Sequence, residues 1–273
     1  MTCALARRKK GQFLGRGPLN PPIDPFADHP NPAYYVARDA SDGAFAALLE
    51  CVGRPDLPAA LLAPPGLGKT LLLRMLANRL PPALRGVYVP NPVLSPAELC
   101  AWTLGCLASP PWPDPIAVLG AYADHLAERG GALVWLVDDA HSLPEETARW
   151  LGHLLARARG ALRLVIAAVE DERAKALPAL GPMVRIDTLA RPMQPDETAR
   201  YVFGRLDRAS GASTKRAAGI EADLRARCQA ALDAIHEQSA GVPREVSTAL
   251  SALFARWDAG LRDGAQPTVC ESG

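Results

Sequence analysis

The sequence lacks several features that mark particular classes of protein. Its formal net charge is only +1 over 273 residues, so no overall field marks it as a nucleic-acid binder, although local basic patches remain open. Apolar runs such as Ala132 to Val137 are far too short to cross a bilayer, so no transmembrane segment is expected. The basic stretch at residues 7–10 is not followed by the long apolar segment of a signal peptide. We therefore expect a soluble, cytoplasmic protein.

The cysteines form no pattern typical of a metal site or a disulfide framework. All six are scattered, with no C-x-x-C pair and no histidines at zinc spacing. Free thiols in a reducing compartment are the expected state. The chain shows no internal repeat. With 49% hydrophobic and 22% charged residues, it has the composition of an ordinary globular protein, long enough for one α/β core and a small second domain.

The chain is organised around residues 63–70, which read APPGLGKT. This segment matches three of the four fixed positions of the phosphate-binding loop (P-loop) G-x-x-x-x-G-K-[ST], and the exception is Ala63, where the pattern has glycine. An apolar, strand-like run at 59–62 precedes the loop, and a helical pattern follows from Leu71. The alternative is a turn followed by a lysine that opens a helix by chance, which leaves the flanking elements unexplained.

Each residue type in this loop has a chemical use. Gly66 and Gly68 can adopt backbone angles that are closed to other residues, so successive N–H groups can point at phosphate oxygens. We expect Lys69 to contact the β and γ phosphates of ATP and Thr70 to give a hydroxyl to Mg²⁺. Ala63 is a mild departure, because its methyl group matters only if that residue needs a positive φ. The expected nucleotide contacts are Pro65, Gly66, Leu67, Gly68, Lys69, Thr70 and Leu71.

A second candidate site lies at the end of the apolar run 132–137, where two acids, Asp138 and Asp139, follow. A P-loop NTPase needs acidic residues at such a strand end to hold Mg²⁺ and to polarise the attacking water. We expect Asp138 to hold the metal, directly or through its waters, and Asp139 to orient the water. A strand that simply turns polar at the surface is the alternative.

The order of the elements predicts the fold class. Strands are predicted at 59–62, 86–90, 132–137, 162–169 and 183–186, with helices between them at 71–76, 96–107, 116–128 and 145–159. A helix at 44–52 comes first, and only helices follow residue 192. This order predicts an α/β P-loop NTPase core, a parallel sheet flanked by helices, with a small all-helical domain after it. The expected divisions are an irregular arm at 1–33, the core at 34–190, a helical lid at 191–259 and a flexible tail at 260–273.

The predicted helix 145–159 carries a basic stripe, Arg149, His153 and Arg157, at positions i, i+4 and i+8. A solvated face explains this stripe by default. Contact with a phosphate or a partner is the sharper alternative.

Three segments together resemble the AAA+ ATPases: GLGKT at 66–70, LVDDAH at 136–141 and GVPR at 241–244. Within them the chain is most similar to the ExeA-like group, which includes type II secretion ATPases and is related to the TnsC and TniB transposition ATPases. The likeness covers about residues 20 to 257. It implies ATP and Mg²⁺ as cofactors, a homo-oligomer and a protein partner that the sequence does not identify.

The resemblance also implies roles for two arginines. Arg244 stands at the position called sensor 2, which reaches from the lid to the γ phosphate, and a surface arginine in a first helical turn is the alternative. Arg185 resembles the arginine that such proteins offer to a neighbouring subunit's nucleotide, and an exposed strand arginine is the alternative.

Two departures from the family pattern bear on hydrolysis. The family usually has glutamate where Asp139 stands, and commonly a polar residue where Val169 stands, with Glu170 the nearest substitute. We therefore expect an ATPase, slow for its family, that switches the conformation or assembly of a multimer. A nucleotide switch or scaffold with negligible hydrolysis is one alternative. The other is an ATP-dependent DNA-binding regulator, motivated by residues 7–10, the basic stripe, and Lys215 with Arg216.

Overall fold

The structure is a computed structural model that describes residues 26–27, 30–54, 58–158, 160–169, 176–209 and 215–263. The described residues form two compact units. The first comprises residues from 37 to 191, and the second comprises those from 26 to 36 together with those from 192 onward. None of the described helices is long and apolar enough to span a membrane.

The first unit is built on a parallel sheet, in which the described strands follow the order β2-β3-β4-β1-β5. Both β1 and β3 are buried along their whole length, as expected of parallel strands covered on both faces. The strands are β1 (Ala59–Leu62), β2 (Leu84–Val89), β3 (Ala132–Val137), β4 (Leu162–Ala168) and β5 (Val184–Ile186).

Helices cover both faces of this sheet. They are α1 (Asp39–Gly53), α2 (Lys69–Arg79), α3 (Pro96–Cys106), α4 (Pro115–Glu128) and α5 (Glu145–Arg157). On one face α3, α4 and α5 form a core with alternate strand residues, including Trp135, whose indole N–H donates a 2.8 Å hydrogen bond to Thr103. Strand residues of the other parity, such as Leu61, point to the opposite face, and α1 and α2 contact the strands and each other.

The predicted strands and helices of the first unit are confirmed, with shifted ends. The first helix begins at Asp39 rather than residue 44, and acidic Asp39 and Asp42 lie in its first turn, where they favour a helix N-terminus. β2 begins at Leu84 because Leu84 and Arg85 pair with β3, although Arg85 is exposed and does not look like part of a buried strand. α3 begins with a capping box, in which Ser95 and Glu98 satisfy each other's backbone N–H groups.

The second unit consists of helices. They are α6 (Pro195–Ala209), α7 (Lys215–Ser239) and α8 (Pro243–Asp263), preceded in the chain by a 3₁₀ turn at Pro32–Tyr34 that packs on α6. Helices are what the sequence predicts here, and the last of them continues past residue 260, where a tail was expected. The buried core described for the second unit consists of Phe26, Met193, Val202, Leu206, Cys228, Leu232, Ile235, Val246 and Leu250.

Arg205 of α6 is buried inside the second unit, at 9% exposure. Its guanidinium carbon lies 5.8 Å from the ring centre of Phe26, 5.7 Å from that of Tyr34 and 5.5 Å from that of Tyr201. The same group donates a 2.6 Å hydrogen bond to the Tyr201 hydroxyl and one of 3.4 Å to the carbonyl of Ala27. Phe26, Ala27 and Tyr34 are thereby tied to α6 through cation–π contacts and a hydrogen bond.

The described cysteines are free thiols, as predicted: Cys51, Cys100, Cys106 and Cys228. Cys3 and Cys270 lie outside the described residues. Burial raises the pKa of Cys100 to about 12 and that of Cys228 to about 11, so both thiols stay protonated at neutral pH.

Candidate nucleotide site

The loop after β1 has the backbone conformation that its glycines predict. Gly66 has φ 82° and Gly68 has φ 100°, both in the left-handed region that favours glycine. A Cβ at Gly68 would meet no atom within 4 Å, so glycine is needed there for conformation and not for space. Gly68 is also the N-cap of α2, so the loop leads straight into a helix N-terminus.

Ala63 accepts its methyl group without strain. Among the described non-glycine residues, only Ala108, Asp139 and Ala240 have positive φ. The N–H of Ala63 donates to the carbonyl of Ala168 at 3.3 Å, which ties the start of the loop to the end of β4. The departure from the glycine of the pattern therefore costs the loop no conformational strain.

The side chain of Lys69 lies along the loop and is 7% exposed. Its ammonium group donates hydrogen bonds to the carbonyls of Ala63, at 2.8 Å, and Pro64, at 2.9 Å. Thr70 and Leu71 continue the first turn of α2, half-buried. The ammonium group and the N-terminus of α2 together make the end of the loop electropositive, which suits a phosphate group.

Arg38, which no sequence pattern marks, supports the loop through its backbone. Its buried guanidinium donates to the carbonyl of Leu67 at 3.0 Å and to the carbonyl of Arg191 at 3.2 Å. An arginine just before a helix has no recognisable pattern, and its partners are distant in sequence. No local signal could have identified it.

The two acids after β3 differ sharply in environment. Asp138 is buried, at 3% exposure, and its backbone N–H donates to the carbonyl of Val89 at 2.9 Å. Asp139 is exposed and adopts the left-handed conformation, with φ 47° and ψ 39°, which aspartate tolerates better than most residues. The N–H of Asp139 donates to Oδ1 of Asp138 at 3.1 Å. The buried carboxylate is thus held in place and the other faces solvent.

Tyr88 of β2 is the second residue of the site that no sequence pattern marks. Its hydroxyl donates a 2.8 Å hydrogen bond to Oδ2 of Asp138, and the guanidinium carbon of Arg74 lies 5.6 Å from its ring centre. Burial, followed by the charge of Asp138, raises the pKa of Tyr88 far above its ordinary value, while Arg74 acts in the opposite direction. The phenol therefore remains a proton donor to the carboxylate.

Lys69 and Asp138 both follow the carboxyl ends of parallel strands, the edge at which open α/β sheets bind ligands. The other predicted site residues belong to other elements. Arg185 is exposed on the outer strand β5, and Arg244 is exposed in the first turn of α8, in the second unit. Val169 follows β4, and Glu170 lies outside the described residues.

The side chains at this edge fit a nucleotide with Mg²⁺. A threonine hydroxyl and a carboxylate, Thr70 and Asp138, are oxygen ligands of the kind Mg²⁺ prefers. Among the described residues no group of three or more His, Cys, Asp or Glu side chains could hold a metal by itself. Such a site suits Mg²⁺, which usually combines one or two protein ligands with substrate phosphates and water.

The sheet order, the loop and the helices around them make this a P-loop NTPase fold. Residues 54–177 match the AAA domain family. The matched segment contains the P-loop and both acids, and it covers less than half of the chain. The finer likeness to the ExeA-like group stays a prediction.

Several solved structures are similar to the chain at low identity. Cdc6p from Pyrobaculum aerophilum is 20% identical, with 63% of this chain and 52% of that chain covered and a TM-score of 0.46. The Thermotoga maritima RuvB Holliday junction branch migration motor is 16% identical, with coverages of 79% and 61% and a TM-score of 0.48. Drosophila ORC bound to DNA is 16% identical, with coverages of 82% and 57% and a TM-score of 0.49. The chain therefore spans about half to three fifths of these proteins.

No curated protein sequence matches the chain.

Two of the three residues of the basic stripe on α5 line a cavity of about 450 Å³. Arg149 and His153 line it together with Arg163 of β4, while the rest of its wall is largely apolar. Arg149 pairs with Glu145 one turn earlier, at 2.5 Å, and both side chains are exposed. The Nε of Arg163 is buried and has no hydrogen-bond partner among the described residues. The side chains of Lys215 and Arg216 and all of residues 7–10 lie outside what the structure describes.

Proposed function

We propose that the protein is an AAA+ ATPase that binds ATP with Mg²⁺ and uses binding and hydrolysis to switch the conformation or assembly of a multimer acting on a partner protein. The observation that carries this proposal is the loop of Gly66 and Gly68, which leads through Lys69 into α2 at the same edge of the parallel sheet as the end of β3, after which Asp138 follows.

In this proposal each group has one task. The N–H groups of the loop and Lys69 hold the β and γ phosphates, and Thr70 and Asp138 hold Mg²⁺. The metal neutralises phosphate charge when it is bound. Asp139 orients a water molecule that attacks the γ phosphorus, the bond to the β-phosphate oxygen breaks, and ADP and phosphate leave. Because aspartate is one methylene shorter than glutamate, we expect turnover to be slow.

Two arginines have proposed roles beyond the P-loop. We assign Arg244 to sensing the γ phosphate and Arg185 to the nucleotide of a neighbouring subunit in a homo-oligomer. Their exposure is compatible with contacts to a ligand or another subunit. Arg185→Ala should then lower turnover while leaving nucleotide affinity unchanged, and wild-type turnover per subunit should rise with protein concentration.

Binding of a fluorescent ATP analogue and phosphate release, measured on the same preparations, test this function. We expect Lys69→Ala to weaken binding by about tenfold or more, since it removes a direct phosphate contact. Asp139→Asn should keep binding and lose turnover. Arg85→Ala, at an exposed position of β2, is the matched control and should change neither quantity. Turnover that persists unchanged in Lys69→Ala would contradict the proposal.

A nucleotide-dependent switch without hydrolysis is the second candidate, favoured by Asp139 and by apolar Val169. It requires tight binding and no measurable phosphate release, with or without partners. Steady turnover in Mg²⁺ would exclude it.

ATP-dependent DNA binding is the third candidate. It is favoured by the cavity that Arg149, His153 and Arg163 line, because these groups could contact phosphates of the DNA backbone. Binding should require ATP, fall steeply with salt, and weaken in Arg149→Ala with Arg163→Ala. If no binding occurs at low salt, this candidate fails.

A further inference from the structure

The carboxylate of Asp138 is held by two donors, one on each oxygen. The N–H of Asp139 approaches Oδ1 at 3.1 Å, and the hydroxyl of Tyr88 approaches Oδ2 at 2.8 Å. An ionised carboxylate has about four lone-pair sites, so each oxygen retains a free site. The carboxylate is therefore fixed in orientation without losing its capacity to bind a metal or a metal-bound water.

Tyr88 is itself held by its surroundings. It pairs with Leu136 across β2 and β3, two residues before Asp138, and its carbonyl accepts a 3.5 Å hydrogen bond from the indole of Trp102. The guanidinium of Arg74 lies over its ring, at 5.6 Å from the centre. Tyr88 thus stands between α2 and the end of β3.

Arg74 connects this arrangement to the P-loop. It follows Thr70 by four residues on α2, so both side chains project from the same face of the helix. Thr70 and Asp138 are the two residues proposed to hold Mg²⁺. The contact between Arg74 and Tyr88 therefore links α2, which carries Thr70, to the end of β3, where Asp138 lies.

We propose that Tyr88 is a positioning residue of the Mg²⁺ site. Its hydroxyl orients the carboxylate of Asp138, and its contact with Arg74 fixes the position of that carboxylate relative to α2, the helix that follows the P-loop. The inference rests on the proposed function, since it assumes that nucleotide and Mg²⁺ bind at this edge. Outer partners of metal ligands typically change metal affinity by about 10- to 100-fold when they are removed. Tyr88 should therefore affect the metal and not the phosphate contacts.

Tyr88→Phe tests this role because it retains the ring and removes only the hydroxyl. Binding of a fluorescent ATP analogue would be measured first in EDTA and then as Mg²⁺ is added, and Mn²⁺ binding would be followed by electron paramagnetic resonance. We expect unchanged affinity in EDTA and a rise of about tenfold in the Mg²⁺ and Mn²⁺ concentrations at half-saturation. Arg74→Gln should shift the same concentrations in the same direction, by a smaller factor. Tyr122→Phe, at a half-buried position of α4, is the matched control and should shift neither.

The outcomes separate the two proposals. If wild type and Tyr88→Phe bind nucleotide equally and need the same Mg²⁺ concentration, the role of Tyr88 is overturned and the proposed function stands. If Tyr88→Phe weakens binding in EDTA as much as in Mg²⁺, its effect is not on the metal, and the role is again overturned. If the wild-type protein binds no nucleotide, the proposed function fails, and the role of Tyr88 fails with it.

Discussion

The ammonium group of Lys69 donates a 2.8 Å hydrogen bond to the carbonyl oxygen of Ala63, so two fixed positions of the P-loop pattern are in direct contact. The contact uses the backbone of Ala63 and not its side chain. Since residue 63 has no positive φ, alanine can serve there as well as the glycine of the pattern.

Ala63→Gly should therefore bring no gain in nucleotide binding. We expect the affinity for a fluorescent ATP analogue to stay within about threefold of wild type, a difference of under 1 kcal/mol. The free energy of unfolding should fall by about 1 kcal/mol, because a buried methyl group is lost and the unfolded chain becomes more flexible. Binding and urea titrations measure the two effects. Tenfold tighter binding would mean that the methyl group obstructs the loop.

Gly241→Ala should destabilise the second unit. Gly241 has φ 69°, and a Cβ there would lie 2.1 Å from the carbonyl oxygen of Met193, whose N–H donates to the Gly241 carbonyl at 2.8 Å. Both the backbone conformation and the lack of space oppose a side chain, so we expect a loss of at least about 2 kcal/mol. Amide hydrogen exchange in α7 and α8 measures it.

The neighbouring residue provides the control with the opposite sign. Ala240 has φ 47°, a left-handed conformation that alanine adopts with strain. Ala240→Gly should relieve that strain and raise the free energy of unfolding of the second unit by about 1 kcal/mol. Amide hydrogen exchange in α7 and α8 should then become slower. Equal effects of the two substitutions would contradict the role of backbone conformation at this turn.

Arg205→Lys should weaken the attachment of Phe26, Ala27 and Tyr34 to α6. A lysine ammonium cannot keep both the contacts to three aromatic rings and the hydrogen bonds that the planar guanidinium donates. We therefore expect the free energy of unfolding of the second unit to fall by about 1–2 kcal/mol. Hydrogen exchange at residues 33–36 reports it. Arg200→Lys, at an exposed position of the same helix that pairs with Asp196, should cost less than about 0.5 kcal/mol. Similar losses in both variants would show that the aromatic contacts contribute little.

Stability of the first unit should fall at alkaline pH through Cys100. Burial raises the pKa of its thiol from 9.0 to about 12, so between these values the unfolded chain loses a proton that the folded chain keeps. The protonated thiol therefore contributes its full stabilisation below pH 9. As pH rises from 9 toward 12, the free energy of unfolding falls by about 1.4 kcal/mol per pH unit. Cys100→Ala should reduce the slope of the unfolding free energy against pH by that amount, measured by urea titrations. An unchanged slope would contradict it.

Much of this architecture could be predicted from local patterns. The apolar run 132–137 is β3, with the same ends, because a strand buried on both faces shows its limits as a change from apolar to charged residues at Asp138. β2 was less predictable at its start, since exposed Arg85 belongs to the strand only through its pairing with β3.

The partners of the site residues could not be predicted in the same way. Tyr88 and Asp138 are 50 residues apart, and they meet because β2 lies beside β3 in a register that pairs Tyr88 with Leu136. Arg38 reaches the carbonyl of Leu67 across 29 residues. Neither contact follows from periodicity, because strand order and register are properties of the whole sheet.

The sequence by itself determined the succession of strands and helices along the chain, the P-loop with its left-handed glycines, and the acids at the strand end, since each depends on neighbouring residues and on burial periodicity. Only the tertiary structure decided that position 63 does not require glycine and that Asp138 is buried while Asp139 is exposed. It also decided that Tyr88, Arg74 and Arg38 support the site. These outcomes depend on contacts between distant segments, where packing chooses the partner of each polar group.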